Sequence, residues 1–353
     1  MLQSRASSRN SSLTYRRDID GLRALAIASV VLYHAVPQWL PGGFVGVDIF
    51  FVISGYLITG IVLKGQSEGT FSLSEFYSRR AKRIFPALIV VLVFCLVAGW
   101  LVLLPAEYQS LGKHVAAGAA YVSNHLSLAE SGYFDVAAEL KPLLHLWSLG
   151  IEEQFYLLWP LLLIVAYRFN LNPLTLVAVL FTVSFSLNVG NIDHRPVRVF
   201  YLAITRSWEL LIGAMLAYAN LFARNRFDAL VKNILLRDPA QKPGDAVNWL
   251  AWTGLCLVML AMFGLNQRMP FPGWWALFPT LGTACLIAAG EESSVNRRIF
   301  GSKLAVRIGL ISYPLYLWHW PLLSLARIVE GRTPSLAIRV CAAGISVLLA
   351  WAT

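Results

Sequence analysis

Apolar positions along this chain gather in long runs rather than in the short, alternating blocks of a soluble domain. Ten runs, at residues 20–37, 44–63, 84–104, 143–167, 173–189, 199–220, 247–265, 274–290, 305–326 and 335–353, each predict a helix. Several reach the 18 or so apolar residues that a bilayer crossing requires. The pattern predicts an all-α polytopic membrane protein, a bundle of about ten transmembrane helices over residues 18–353. A polar, Ser-rich and basic tail, residues 1–17, precedes it. Two longer connections are expected, at 105–142 and at 221–246. The second ends in Pro and Gly and reads as a linker with some amphipathic helix. No repeat of 20–50 residues and no inverted repeat stands out. With no small-residue cleavage site after the tail, the first helix is expected to be retained. The last run, ISVLLAWAT, stops without a polar flank, which raises the expectation of further sequence beyond it.

Composition agrees with this class: 57% of the 353 residues are hydrophobic and 14% charged. The net charge of +10 would suit a polyanionic partner in a soluble protein, but its placement along the chain gives it another meaning. If the N-terminus is cytoplasmic, the inward segments hold nineteen Lys or Arg and the outward ones seven. That asymmetry predicts a cytoplasmic N-terminus and leaves no call for nucleic acid. Cys95, Cys256, Cys285 and Cys341 lie within apolar runs without CxxC spacing, so neither a disulfide framework nor a zinc site is predicted.

Charges inside the runs change the picture most. A charged side chain at mid-helix costs roughly 2.5–3.5 kcal/mol on insertion scales, so such groups face a bundle interior or a wet cavity and are paired. Arg23 and His34 are eleven residues apart, which puts them on one helix face about 16 Å apart along the axis. Arg23 reads either as an orientation-setting residue or as a ligand contact, and His34 either as a bundle histidine or as a base. Asp48 enters the second run at a depth close to that of His34. It is either a helix N-terminal carboxylate or the partner that orients the imidazole and raises its basicity. Arg80 and Arg83 share a face within RRAKR, where the positive-inside rule competes with bidentate phosphate binding. In the fourth run His145, Ser148, Glu152, Tyr156 and Trp159 form one polar and aromatic stripe. Glu152 and Glu153 are candidates either to pair with Arg23 or Arg206 or to orient a hydroxyl substrate. Arg206 and Glu209, at i and i+3, form a self-satisfied pair. His319, beside Pro321, marks either a kinked aromatic belt or a substrate path.

The motifs DIDGLRALAIASVVLYH, GGFVGVDIFFVISGYLI, FYSRRAKRIFPA, HLWSLGIEEQFYLLWP, TRSWELLIG and ISYPLYLWHWP occur in this order over about residues 15–325. Together they resemble the membrane acyltransferase-3 family, of the bacterial O-antigen and peptidoglycan O-acetylase type. The resemblance implies an inner-membrane protein that takes an acyl group, usually acetyl, from cytoplasmic acetyl-CoA. The group ends on a hydroxyl of an extracytoplasmic glycan, such as the O-antigen of lipopolysaccharide. The family's Arg, ten residues, His signature falls on Arg23 and His34, and its RxxR signature on Arg80 and Arg83. Arg23, Arg80 and Arg83 are thus expected to hold the acyl-CoA phosphates. His34 is expected to act as base or acyl carrier with Asp48, Glu152 and Glu153. His145, Tyr156, Arg206 and His319 would line the substrate path. No metal and no tightly bound cofactor is expected. Many relatives of this type continue into a further helix and an extracytoplasmic SGNH-type esterase domain, a possible partner for the last transfer. The rival class is a secondary transporter or flippase of a glycan precursor, and a non-catalytic scaffold is a third reading. Binding of acetyl-CoA separates them.

Overall fold

The structure, a computed structural model, describes residues 15–132, 137–223 and 243–353, and among these it is helical without strands. In chain order the helices are α1 (Arg17–Ala35), α2 (Gly46–Ser67), α3 (Leu73–Val102), α4 (Pro105–Ala119), α5 (Ser123–Glu130), α6 (Leu146–Arg168) and α7 (Pro173–Asn191). They continue with α8 (Pro196–Tyr201), α9 (Ala203–Phe222), α10 (Pro243–Gly264), α11 (Leu277–Ala289), α12 (Lys303–Leu310), α13 (Ser312–Glu330) and α14 (Leu336–Ala352). Each of the ten apolar runs carries helix. Five described segments are long and apolar enough to cross a membrane: Gly43–Ser67, Leu73–Val102, Leu146–Arg168, Pro173–Asn191 and Asp245–Gly264.

Three expectations change. The run at 199–220 is not one helix, because Leu202 turns to an extended backbone (ψ 132°) and separates α8 from α9. The run at 305–326 breaks at Ile311, between α12 and α13. The longer connection expected at 105–142 is present and contains α4 and α5. Finally, α3 starts well before residue 84, where the Ser72 side chain accepts a hydrogen bond from the Glu75 amide. The Arg79–Arg83 cluster therefore lies within α3 and not ahead of it. Most of the expected linker at 221–246, and the tail up to residue 14, lie outside the described residues.

Close backbone approach fixes the central helices. At Gly55 of α2 a Cβ would stand 1.8 Å from the Leu210 carbonyl oxygen of α9, and at Gly213 a Cβ would stand 2.1 Å from the Val52 carbonyl oxygen. Only hydrogen fits at either place, so the two glycines let α2 and α9 touch along their backbones. The turn into α2 uses the same device, since Gly43 and Gly46 of GGFVG meet the Ser29 and Ala26 carbonyls of α1. Two apolar cores result on either side of α1, one shared with α2, α9, α10 and α11 and the other with α3, α6 and α13. A third core joins α2, α6 and α9.

Candidate active site

The chain reverses between α1 and α2 and again before α6, so the C-terminal end of α1 and the N-terminal ends of α2 and α6 come together. A cavity of about 620 Å³ opens there. His34, Asp48, His145 and Arg206 all contribute to its wall, together with Tyr33, Tyr316, Trp320 and Gln267. Four of the residues picked from sequence are thus brought to one place.

Their pairing differs from the expectation. Asp48 does not orient His34. Its Oδ1 accepts from Arg206 at 2.9 Å, and Arg206 Nε stands 3.0 Å from Glu209 Oε1. All three side chains are 0–1% exposed. The guanidinium is also boxed by the rings of Phe51, Trp147, Phe200 and Phe271, each with its centroid 5.5–5.7 Å away. A guanidinium removed from water needs such partners, and the close α2–α9 contact at Gly55 and Gly213 is what delivers Asp48 to it. The predicted Arg206–Glu209 pair is present, and Asp48 enlarges it to a triad.

The group that orients His34 is a histidine. His34 Nδ1 lies 3.0 Å from Nε2 of His319 on α13, and the two rings stack at 5.2 Å with an interplanar angle of 14°. Trp320 closes on the His34 ring edge-on, at 4.5 Å. His319 is fully buried within α13, which continues past Pro321. The buried His145 ring packs 5.7 Å from His319 and 5.4 Å from Tyr316, whose hydroxyl donates to the His145 carbonyl at 2.7 Å. Ser148 and the Tyr316 hydroxyl are 2.6 Å apart. Sequence reasoning placed His319 on a path rather than against His34, and it missed Tyr316. The spacing of Tyr316 and His319, i and i+3 in YPLYLWHWP, does put both on one helix face.

Glu152 and Glu153 lie outside the cavity wall. Glu152 is seven positions beyond His145, about 10 Å along α6. Neither acid pairs with Arg23 or Arg206. Glu152 accepts from the Ser54 and Tyr156 hydroxyls. Glu153 accepts from Arg80 at 3.2 Å, and the Arg80 guanidinium lies over the Tyr156 ring, 3.4 Å from its centroid. Arg23 pairs loosely with Asp20, 3.4 Å away, and has Arg83, Glu152 and Tyr156 among its charged and polar neighbours. Arg83 itself is exposed, whereas Arg80 is largely covered. The candidate residues therefore form two groups along one bundle, an imidazole-lined cavity and a cluster of arginines, acids and Tyr156 toward the other end of α1.

Comparison with known proteins supplies the family. Residues 16–353 match the Acyl_transf_3 family, described as an acyltransferase domain. The chain is 35% identical over 327 residues to the peptidoglycan O-acetyltransferase OatA of Listeria monocytogenes, covering 89% of this chain and 50% of that protein. It is 34% identical over 334 residues to the O-acetyltransferase OatA of Staphylococcus aureus, covering 91% and 53%. The chain thus spans about half the length of the curated relatives it matches. No solved structure matches it significantly. With the match running from just ahead of α1 to the end of the chain, this multi-pass membrane protein belongs to the acyltransferase-3 family.

Proposed function

We propose that the chain is the membrane portion of an O-acetyltransferase that carries acetyl from cytoplasmic acetyl-CoA to a hydroxyl of a cell-surface glycan. The observation that carries this reading is His34, an imidazole tied back to His319 on the wall of a cavity of about 620 Å³. That volume suits a small-molecule or sugar-unit site. The name of the Listeria relative favours a peptidoglycan acceptor over the O-antigen expected from sequence.

In this mechanism the acceptor oxygen bonds to the acetyl carbonyl carbon while His34 takes the hydroxyl proton. The carbon–sulfur bond then breaks, and the proton passes to the CoA sulfur. In the two-step variant a His34 nitrogen first bonds to the acetyl carbon as the carbon–sulfur bond breaks and CoA leaves as the thiolate; the acceptor oxygen then takes the acetyl group from that nitrogen, and its proton goes to the thiolate. Arg80, Arg83 and Arg23 hold the CoA phosphates, since planar guanidinium groups suit phosphate oxygens. Glu153 and Tyr156 keep Arg80 in place, and Glu152 keeps Tyr156. The arginine cluster thus faces the cytoplasm of a bacterial inner membrane, and the cavity faces the opposite side. An SGNH-type domain in a longer chain would complete the transfer to polymer.

The test is His34→Ala in membranes supplied with labelled acetyl-CoA and a glycan acceptor. Loss of labelled glycan with retained acetyl-CoA binding supports the reading. Undiminished glycan labelling overturns it, and absence of any acetyl-CoA binding by the unaltered protein points to the transporter or scaffold class.

A further inference from the structure

The hydrogen bonds around His319 decide which nitrogen of His34 carries its hydrogen. His319 Nδ1 lies 2.7 Å from the Tyr316 carbonyl oxygen and 3.2 Å from that of Leu315. A carbonyl can only accept, so Nδ1 carries the hydrogen, and Nε2 of the neutral ring is left as a bare acceptor. His34 Nδ1 stands 3.0 Å from that Nε2 and must be the donor. His34 then holds its hydrogen on Nδ1 and keeps its lone pair on Nε2, the nitrogen left for the cavity that its ring lines. The opposite arrangement would need a doubly protonated His319. No carboxylate bonds to that ring among the described residues, and His319 is 0% exposed, so its positive charge would be buried without a counter-ion.

We propose that His319 is a positioning residue for acyl transfer: a neutral histidine that locks the Nδ1–H tautomer of His34, so that Nε2 takes the acceptor's proton or the acyl group. The proposal rests on His34 being the reactive group. His319 does for His34 what a buried carboxylate does for the imidazole of a hydrolase triad, which is to hold the ring and its tautomer. It brings no negative charge to the site. The chain ends on a backbone carbonyl one turn earlier in α13, so the orientation of His34 is set by the helix itself.

The test combines spectroscopy with kinetics on the detergent-solubilised chain labelled with ¹⁵N-histidine. Only six histidines are present, and the His34 signals are those missing from His34→Ala. The expected spectrum shows a protonated Nδ1 and a bare Nε2 on His34; the reverse tautomer overturns the proposal. His319→Leu should mix the tautomers and lower kcat for acetyl transfer about 100-fold, the scale of general acid–base catalysis, with acetyl-CoA affinity held within about twofold. His319→Gln, whose amide oxygen can accept from His34 Nδ1, should recover about tenfold of that loss. Wild-type kcat in His319→Leu overturns the proposal. Should His34→Ala keep full turnover, the functional reading fails, while the tautomer measurement still decides what His319 does to His34.

Discussion

Asp48 on α2 and Arg206 on α9 form an ion pair of 2.9 Å with both side chains 1% exposed, and Glu209 joins it from the next turn. The pair lines the same cavity as His34, yet its geometry serves the joint between two helices. Arg206 is the one cation of the three, so removing it leaves two buried carboxylates without their counter-ion, and breaking a buried pair in this way costs about 3–5 kcal/mol. Arg206→Ala is therefore expected to lower the melting temperature of the solubilised protein clearly, whereas His34→Ala should leave it near wild type. Equal thermal stability of Arg206→Ala and wild type would assign the triad to chemistry instead.

The same joint depends on two absent side chains. A Cβ at Gly55 would stand 1.8 Å from the Leu210 carbonyl oxygen, and backbone cannot yield as a flexible side chain does. Gly55→Val should push α2 off α9, break the Asp48–Arg206 contact and abolish a monodisperse peak in size-exclusion chromatography. Gly112, which has open space around its Cβ position, serves as the control. Gly112→Ala should behave as wild type.

Arg80 is held by two contacts that differ in kind, a hydrogen bond of 3.2 Å to Glu153 and a stack on the Tyr156 ring. Lys keeps the charge but neither the planar fork nor the stacking face. Arg80→Lys is expected to weaken acetyl-CoA binding about tenfold, and Glu153→Gln, which loosens the same guanidinium, by less. Isothermal titration with acetyl-CoA measures both. An affinity unchanged in Arg80→Lys would return this arginine to a purely topological role.

Much of this was legible beforehand because lipid makes the pattern simple. Long apolar runs announce helices, and charges inside them announce side chains turned to the bundle interior, so the sequence alone singles out His34, Asp48, His145 and Arg206, which line one cavity. Pairing was not legible. Depth alone made Asp48 a neighbour of His34, but which carboxylate meets which cation depends on helix rotation, and rotation is set here by glycines whose close contacts leave no apolar signal. GGFVG carried that information as a motif, and only the carbonyls of Ser29 and Ala26 beside it give the motif its physical reason. The breaks at Leu202 and Ile311 were hidden for a related cause. Both occur at apolar residues with helical neighbours, where propensity gives no warning and tertiary packing decides.

The connection between α3 and α6 carries a charge cluster whose pH response can be worked out. Glu130, at the end of α5, accepts from Lys141 at 3.0 Å and stands 2.9 Å from His114 Nε2. Partial burial pushes its carboxyl upward, but the hydrogen bond from Lys141 and the charges of His114 and Lys141 outweigh that, and the net direction is downward. A carboxylate whose folded value is depressed contributes stability that is fully present above its unfolded value, about 4.3 for Glu. That contribution is lost as pH falls through the lower, folded value. The cluster ties α4, through His114, to α5 and to the segment that leads through Lys141 to α6. The protection of the amides of residues 123–130 against hydrogen exchange, taken relative to an unstructured peptide at the same pH, should thus be high at neutral pH and fall below about pH 4. In Glu130→Gln it should already be low at pH 7. Protection that does not change across this range in the unaltered protein would mean that the contacts of α5 with α6, such as the hydrogen bond from Gln154 to Asn124, and not the ion pairs, hold the segment.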